Sequence, residues 1–580
     1  MRWTVPLLLA ALGLVGCPGP TPPGGSETPP SSPPASPLEE LVVVVPNNVD
    51  FQRLTPWRAT SELEQEIVHN LYDGLFNPKV KDRDVDRGYG AGLADFDFSS
   101  FTGQVQSSGR PVVTLDLVAS DRHWYTSGEP SSPNEKVTAH DVVGAWRQIE
   151  SDNLYPGRNR FTSVIQSIEA VDSDTIRVVF RTQVEWATRA REALGFRIFR
   201  VQDLRSRVPV SSGPYLLDFP PTAERQREFL PSPNEANSEE RPRLIFRPVP
   251  SARSRLDLVV KGEAQVALSI PPYYIGDIGG AGFAPMNQYN IWALVFSSRL
   301  TTSQRRFLAS SLDVGRLLDA FLRIGHQGEA YLDLIEFRKF KLLSPSIFPA
   351  NFEVFECARN QERQGRLPAD LGEVAGWIEN PDSFGHPFTD PPRPLLPDPF
   401  HIAYREGGVF EEGVGELIDE ISRQLDGNDY VGRLRVTPVS SEGDWQEVIA
   451  RLTNGSSSEY NAALVRFEYD RRCDVSIHFK DHRPPSLELG GLFHWITNTP
   501  EGRALQWSAG DLATLRDTGY CDAAVAPALR VVRAVHDLAP AKFLFTVPSL
   551  IVYDPRLTVG VNDEFVLAGI KNWRYVGQPR

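Results

Sequence analysis

Residues 41–48, LVVVVPNN, are apolar without a polar interruption until Pro46 and two asparagines. A short β-branched run with no polar alternation predicts a strand buried on both faces. The period then changes. In TSELEQEIVHNLYDGLF, residues 60–76, Leu63, Ile67, Leu71 and Leu75 recur at i, i+4, Ser61 and Glu64 supply a capping box, and Gly74 can end the turn. That spacing predicts an amphipathic helix. VVTLDLVA (112–119) reads as a strand, and KVTAHDVVGAWRQIE (136–150) as a helix capped by Thr138 with Asp141 at its third position. SIEAVDSDTIRVVF (167–180) predicts a hairpin turning at Asp172-Ser173-Asp174.

The same alternation continues. SARSRLDLVVKGEAQVALSI (251–270) reads as helix, stop at Gly262, then strand, and QRRFLASSLDVGRLLDAFL (304–322) as helix throughout. GVGELIDEISRQLDG (413–427) carries Leu417, Ile421 and Leu425 on one stripe; strand RLRVTPV, helix DWQEVIARLTNG and strand NAALVRF follow. Strand–helix–strand order predicts α/β lobes. Residues 368–399, closing with PFTDPPRPLLPDP, are Pro-rich and read as an irregular surface insertion or covering loop.

Composition narrows the function classes. The chain has 580 residues, 41% hydrophobic and 10% aromatic, with a net charge of −14. The folded part is too long for one core and suits two or three domains. The negative charge argues against nucleic acid, which demands basic faces. No G-x-S-x-G or nucleotide-binding loop in a strand–turn–helix setting stands out, and the expectation is a non-enzyme without cofactor. His478, His482 and His494 lie close together, but HFKDH sits in loop-like sequence and no metal site is expected.

At the N-terminus, Arg2 precedes an apolar core from Val5 to Val15, too short to span a bilayer and proportioned like a signal-peptide core. Leu14-Val15-Gly16-Cys17 resembles the bacterial lipobox, which implies a signal peptide over 1–16 and lipid on Cys17. Residues 17–37 are rich in Pro, Gly and Ser and cannot form a core. As a semi-extended tether at about 3.1 Å per residue they reach about 60 Å. No later run of 18 apolar residues predicts a membrane span. With Cys17 set aside, Cys357, Cys473 and Cys521 remain, an odd number. Export permits one bridge, for which Cys473–Cys521 is the candidate, with two buried thiols as the alternative.

Five segments, in order, carry a resemblance. LYDGLF (71–76) is similar to Y-(D/E)-G-L, and VTAHDVVGAW (137–146) to T-A-x-D-V-x-x-(S/A)-W. VPVSSGPYLL (208–217) is similar to (G/S)-(T/S)-G-P-Y, RLDLVVKGEAQVAL (255–268) to L-x-x-G-E-(V/I)-D, and VVRAVHDLAPAKFLF (531–545) to a late E-D-A-P segment. Together they resemble the dipeptide- and oligopeptide-binding family of extracytoplasmic solute-binding proteins, family 5, which serve ABC importers. The resemblance implies a two-lobed periplasmic-binding-protein fold of the class II, cluster C type, with mixed sheets and an interlobe cleft. Lobe 1 would span 38–290 with 546–580 returning to it, and lobe 2 would span 291–545.

The family's W-x-x-D motif corresponds to Phe467 and Asp470 in ALVRFEYD, where the carboxylate would receive a ligand ammonium and Phe467 or Tyr469 would pack on a side chain. Asn47 and Asn48, after the first strand, match the cleft-lining region, while Ser211, Ser212 and Gly213 are read as fold maintenance. Departures include Ser297 for the usual Asn, Gln265 for the usual Asp, and NEANSEERPRL (234–244) in place of N-x-x-Y-W. The expected role is a membrane-anchored, monomeric carrier on the periplasmic side or cell surface, taking a small, peptide-like solute to an ABC permease. The alternatives are a non-transporting sensor or scaffold of the same fold, and a carrier of an oligosaccharide or metal chelate.

Overall fold

The computed structural model describes residues 39–575, except 48–53, 99–108, 219–226, 235–240, 323–345, 347–352, 380–393, 469–521 and stretches of five residues or fewer. Cys17, Asn48, Tyr469, Asp470, Cys473, Cys521 and the three clustered histidines lie outside the described residues.

The first half opens with strand β1 (Glu40–Val45) and helix α1 (Glu62–Leu71). Strand β2 (Val112–Asp116), helix α2 (Ala139–Ser151) and the hairpin β3 (Ile165–Ala170) and β4 (Thr175–Phe180) follow. The Asp141 carboxylate accepts from the Thr138 backbone N–H at 2.9 Å, closing the expected cap of α2. In the β3–β4 turn the Asp172 carboxylate accepts from the Asp174 N–H at 2.8 Å. Next come β5 (Tyr215–Leu217), β6 (Arg227–Pro231), β7 (Arg243–Pro248), helix α3 (Ala252–Val260), β8 (Val266–Ile270), a 3₁₀ turn at Pro272–Asp277, and β9 (Gly282–Met286). Gly262, past the end of α3, has φ +75°, the left-handed conformation that lets the chain leave the helix.

The second half starts with β10 (Asn290–Phe296), then helices α4 (Thr302–Ser310) and α5 (Val314–Phe321). One helix was expected across 304–322, but the chain breaks at Ser311-Leu312-Asp313, because the Asp313 carboxylate caps a new helix by accepting from the Arg316 N–H at 3.1 Å. Helices α6 (Glu353–Arg363) and α7 (Ala369–Glu379) come next, then β11 (Phe400–Arg405), α8 (Glu411–Asp426), β12 (Leu434–Val439), α9 (Glu442–Asn454), β13 (Ala462–Glu468), α10 (Asp522–Leu538) and β14 (Ala541–Phe545). The expected irregular stretch therefore contains α7. Its Leu371, Val374 and Ala375 are buried, because Pro368 starts a helix whose apolar face packs inward. The chain then crosses back to β15 (Ser549–Tyr553).

Two large sheets result. The first has the order β5–β6–β7–β1–β8–β15–β9, with β1 parallel to β7 and β8 and the outer neighbours antiparallel. The second has the order β12–β11–β13–β10–β14, with β11 parallel to β12 and β13, and β10 antiparallel to β13 and β14. In the second, Ile291, Ala293, Val295, Val465 and Phe467 face a core closed by α6, α7, α9 and α10. The opposite face, with Leu294, Phe296, Ile402 and Leu464, is covered by α4, α5 and α8. β1 is buried on both sides: Val43 and Val45 sit in the first sheet's own core and Val44 in the cluster shared with the second. That accounts for its unbroken valines.

Cys357 on α6 is disulfide-bonded. A sulfur forms one such bond, so Cys357 takes a partner from Cys17, Cys473 and Cys521. Unless that partner is Cys17, the expected Cys473–Cys521 bridge is excluded.

Candidate functional site

Two of the family-like segments meet in the first half. The Gly213 N–H donates to the Leu71 carbonyl at 2.9 Å, and the Asp73 N–H donates to Ser212 Oγ at 3.2 Å. A Cβ at position 213 would stand 2.6 Å from the Leu71 carbonyl carbon and 2.7 Å from the Tyr72 nitrogen, so only glycine fits. Ser211 and Ser212 are fully buried, in a fold-maintaining role. Asn234, the first residue of the polar segment 234–244, locks the same corner. Its amide donates to the His123 and Ser212 carbonyls at 2.7 and 2.8 Å, and its oxygen accepts from the His123 N–H at 2.8 Å. Gln265 has a comparable place, its side-chain oxygen accepting from the Val42 N–H of β1 at 2.8 Å.

The two sheets are linked where β9 leads to β10 and where β14 leads to β15. These connections run side by side and are clipped together. Asn290, fully buried, donates from Nδ2 to the Val547 carbonyl at 3.2 Å and accepts the Val547 N–H at 3.4 Å. Around the clip, side chains of both sheets share one apolar cluster: Val44, Ala267, Leu550 and Val552 from the first, Trp292, Leu294, Phe400 and Leu544 from the second.

Aromatic rings thread that junction. Trp292 stands 5.3 Å from Phe321 and 6.2 Å from Phe410, and Phe321 lies 5.2 Å from Phe545. From the first half, the turn at Pro272–Asp277 reaches across: Tyr273 is 6.4 Å from Phe321, and the Tyr274 hydroxyl donates to Glu412 at the start of α8 at 2.5 Å. That turn is anchored by Arg255, fully buried without a carboxylate partner among the described residues. Its guanidinium donates to the carbonyls of Val249, Pro250, Leu268 and Ser269, the last a residue at φ +56°. Burial pushes its pKa down to about 10, so it stays charged at neutral pH and holds four carbonyls at once.

The expected site residues divide. Asn47 is exposed just past β1. Phe467 is fully buried in the second sheet's own core, 6.4 Å from Phe543, and does not face the junction. Side chains alternate along β13, so the residue facing the junction is its neighbour, Arg466, whose guanidinium lies 4.8 Å over the Phe410 ring. The sequence reading missed Asn290, Trp292 and Arg466. Among the described residues no group of three His, Cys, Asp or Glu side chains could hold a metal ion, and no helix is long and apolar enough to cross a membrane.

No protein-family model matches the chain, and no curated protein matches it in sequence. Solved structures match over almost its full length. The ABC transporter substrate-binding protein CtaP from Listeria monocytogenes is 13% identical with a TM-score of 0.58, covering 94% of this chain and all (100%) of its own. NikZ from Campylobacter jejuni, solved with Ni(L-His), is 14% identical with a TM-score of 0.58, covering 93% of this chain and 99% of its own. The oligopeptide-binding protein AppA from Bacillus subtilis, solved with a nonapeptide, is 13% identical with a TM-score of 0.55, covering 93% of this chain and 99% of its own. The chain thus has the two-lobed α/β fold of the periplasmic binding proteins.

Proposed function

We propose that this chain is an extracytoplasmic solute-binding protein of family 5 that captures a peptide-like solute between its lobes and delivers it to an ABC permease. The observation that carries the reading is the junction: two sheets with separate cores, joined by two crossings that Asn290 clips together, with aromatic side chains between them. Such a junction is a hinge, and a solute touching both lobes stabilises the closed form by its differential affinity for it. Sites of this kind form at domain interfaces, with apolar walls and few polar groups. The lobes are 38–290 with 546–580, and 291–545. Cys17 carries lipid, 17–37 tether the monomer to a membrane, and Asn47, Asn48, Tyr469 and Asp470 contact the solute. The protein carries its ligand without chemical change.

Native mass spectrometry of the protein as purified tests this. A retained mass matching a short peptide supports the reading; a protein that stays bare, and takes up nothing from a mixed peptide pool, refutes it. The NikZ complex favours one second reading, a metal chelate as cargo, which the same spectra identify by the metal's isotope pattern.

A further inference from the structure

We propose that the turn at Pro272–Asp277 is a latch between the lobes, which must release Glu412 before the lobes rotate about the hinge. The inference rests on the hinge part of the solute-binding reading. Two crossings clipped side by side leave rotation about one axis free. The turn adds a third link, made not through the crossings but to helices α5 and α8 of the second lobe. The Tyr274 hydroxyl donates to the Glu412 carboxylate at 2.5 Å, and the Tyr273 ring stands 6.4 Å from Phe321. The fit is close: a Cβ at Gly413, beside Glu412, would lie 3.0 Å from the Tyr273 ring and 2.9 Å from the Phe321 carbonyl oxygen. A third link outside the crossings fixes the angle between the lobes until it breaks.

The first lobe is built to hold the turn in place. Its strand β8 bulges against β15 between Ala267 and Ile270, and a bulge re-aims the chain that follows. Within it Ser269 sits at φ +56°, a conformation that residues other than glycine seldom adopt and that recurs in switch regions. The buried Arg255 guanidinium holds the Ser269 carbonyl at 2.8 Å. Arg253, at the start of α3, pairs with Asp277 at the far end of the turn and lies 5.8 Å over the Tyr274 ring. The hydroxyl is thus presented on a braced arm, while its acceptor belongs to the other lobe. A hydrogen bond to a carboxylate is strong enough to set a two-state population, and weak enough for a solute with differential affinity to overcome.

The test is the interlobe distance in the solute-free, full-length protein. It is read by single-molecule fluorescence transfer between dyes on azido residues placed at the exposed positions of Lys261 and Ala450. Tyr274→Phe keeps the ring and removes only the hydroxyl, and circular dichroism reports that each variant is folded. The expected result is one narrow distribution for wild type and, in Tyr274→Phe, a second distance whose share rises about tenfold. Glu412→Gln should move the population the same way, and the double variant no further than Tyr274→Phe, because the two residues act as one pair. A Tyr274→Phe distribution identical to wild type, or effects that add in the double variant, overturns the latch. A shifted distribution in a protein that takes up no peptide keeps the latch and removes the peptide reading. Peptide uptake with the distribution unchanged in Tyr274→Phe does the reverse.

Discussion

Replacing Asn290 with alanine removes both hydrogen bonds of the interlobe clip. The Val547 N–H and C=O it serves are fully buried, so water cannot take over. Each orphaned buried group costs about 1–3 kcal/mol. At 3.2 and 3.4 Å the two bonds are long, which places the pair in the lower half of that range, about 2–4 kcal/mol together. A domain the size of one lobe shifts by about 2–4 °C per kcal/mol. Asn290→Ala should therefore lower the first melting transition by about 4–16 °C in differential scanning calorimetry. Asn47→Ala, at an exposed position beyond β1, should change it by less than about 2 °C. An Asn290→Ala protein melting within 2 °C of wild type would refute the clip as a structural joint.

Three further outcomes follow from single sites. Gly213→Ala forces a Cβ into backbone atoms of residues 71 and 72, and should cost 2 kcal/mol or more in chemical denaturation, about the upper range for overpacking. Burial pushes the Lys542 ammonium down to about 8, with Asp313 opposing. The unfolded chain keeps that proton to about pH 10.4 while the folded chain releases it near 8, so this group adds stability as pH rises between the two, by at most about 1.4 kcal/mol per unit. Lys542→Met should remove that rise when its stability is subtracted from wild type across pH 7–10. Reductant should lower the melting temperature by breaking the Cys357 bond, and non-reducing peptide mapping should recover Cys357 cross-linked.

Elements with a strong local signal were legible in the sequence. The valine run became β1, the Thr138–Asp141 cap opened α2, and the stripe Leu417, Ile421 and Leu425 became the buried face of α8. Where local signals competed, the reading slipped. Apolar periodicity continues through Leu312, yet the Asp313 cap restarts the helix, and proline density masked α7 although Pro368 sits where a helix starts. The junction was the least legible part. Alternation along β13 puts Phe467 and Arg466 on opposite faces, but only the packing of α6, α7, α9 and α10 decides which face becomes the lobe's own core. Asn290 reads as an ordinary strand-start residue until the second crossing, more than 250 positions later, is laid beside it.

The central claim is that a small solute binds the folded protein between its lobes. Its most direct test is the melting temperature with a mixed pool of tri- to pentapeptides. A ligand bound only by the native state adds RT ln(1 + [L]/Kd), about 2.7 kcal/mol at one hundred times Kd, or about 5–10 °C for a lobe-sized unit. A concentration-dependent rise of that size is the expected result; a melting temperature that no peptide, at any concentration, moves would contradict it.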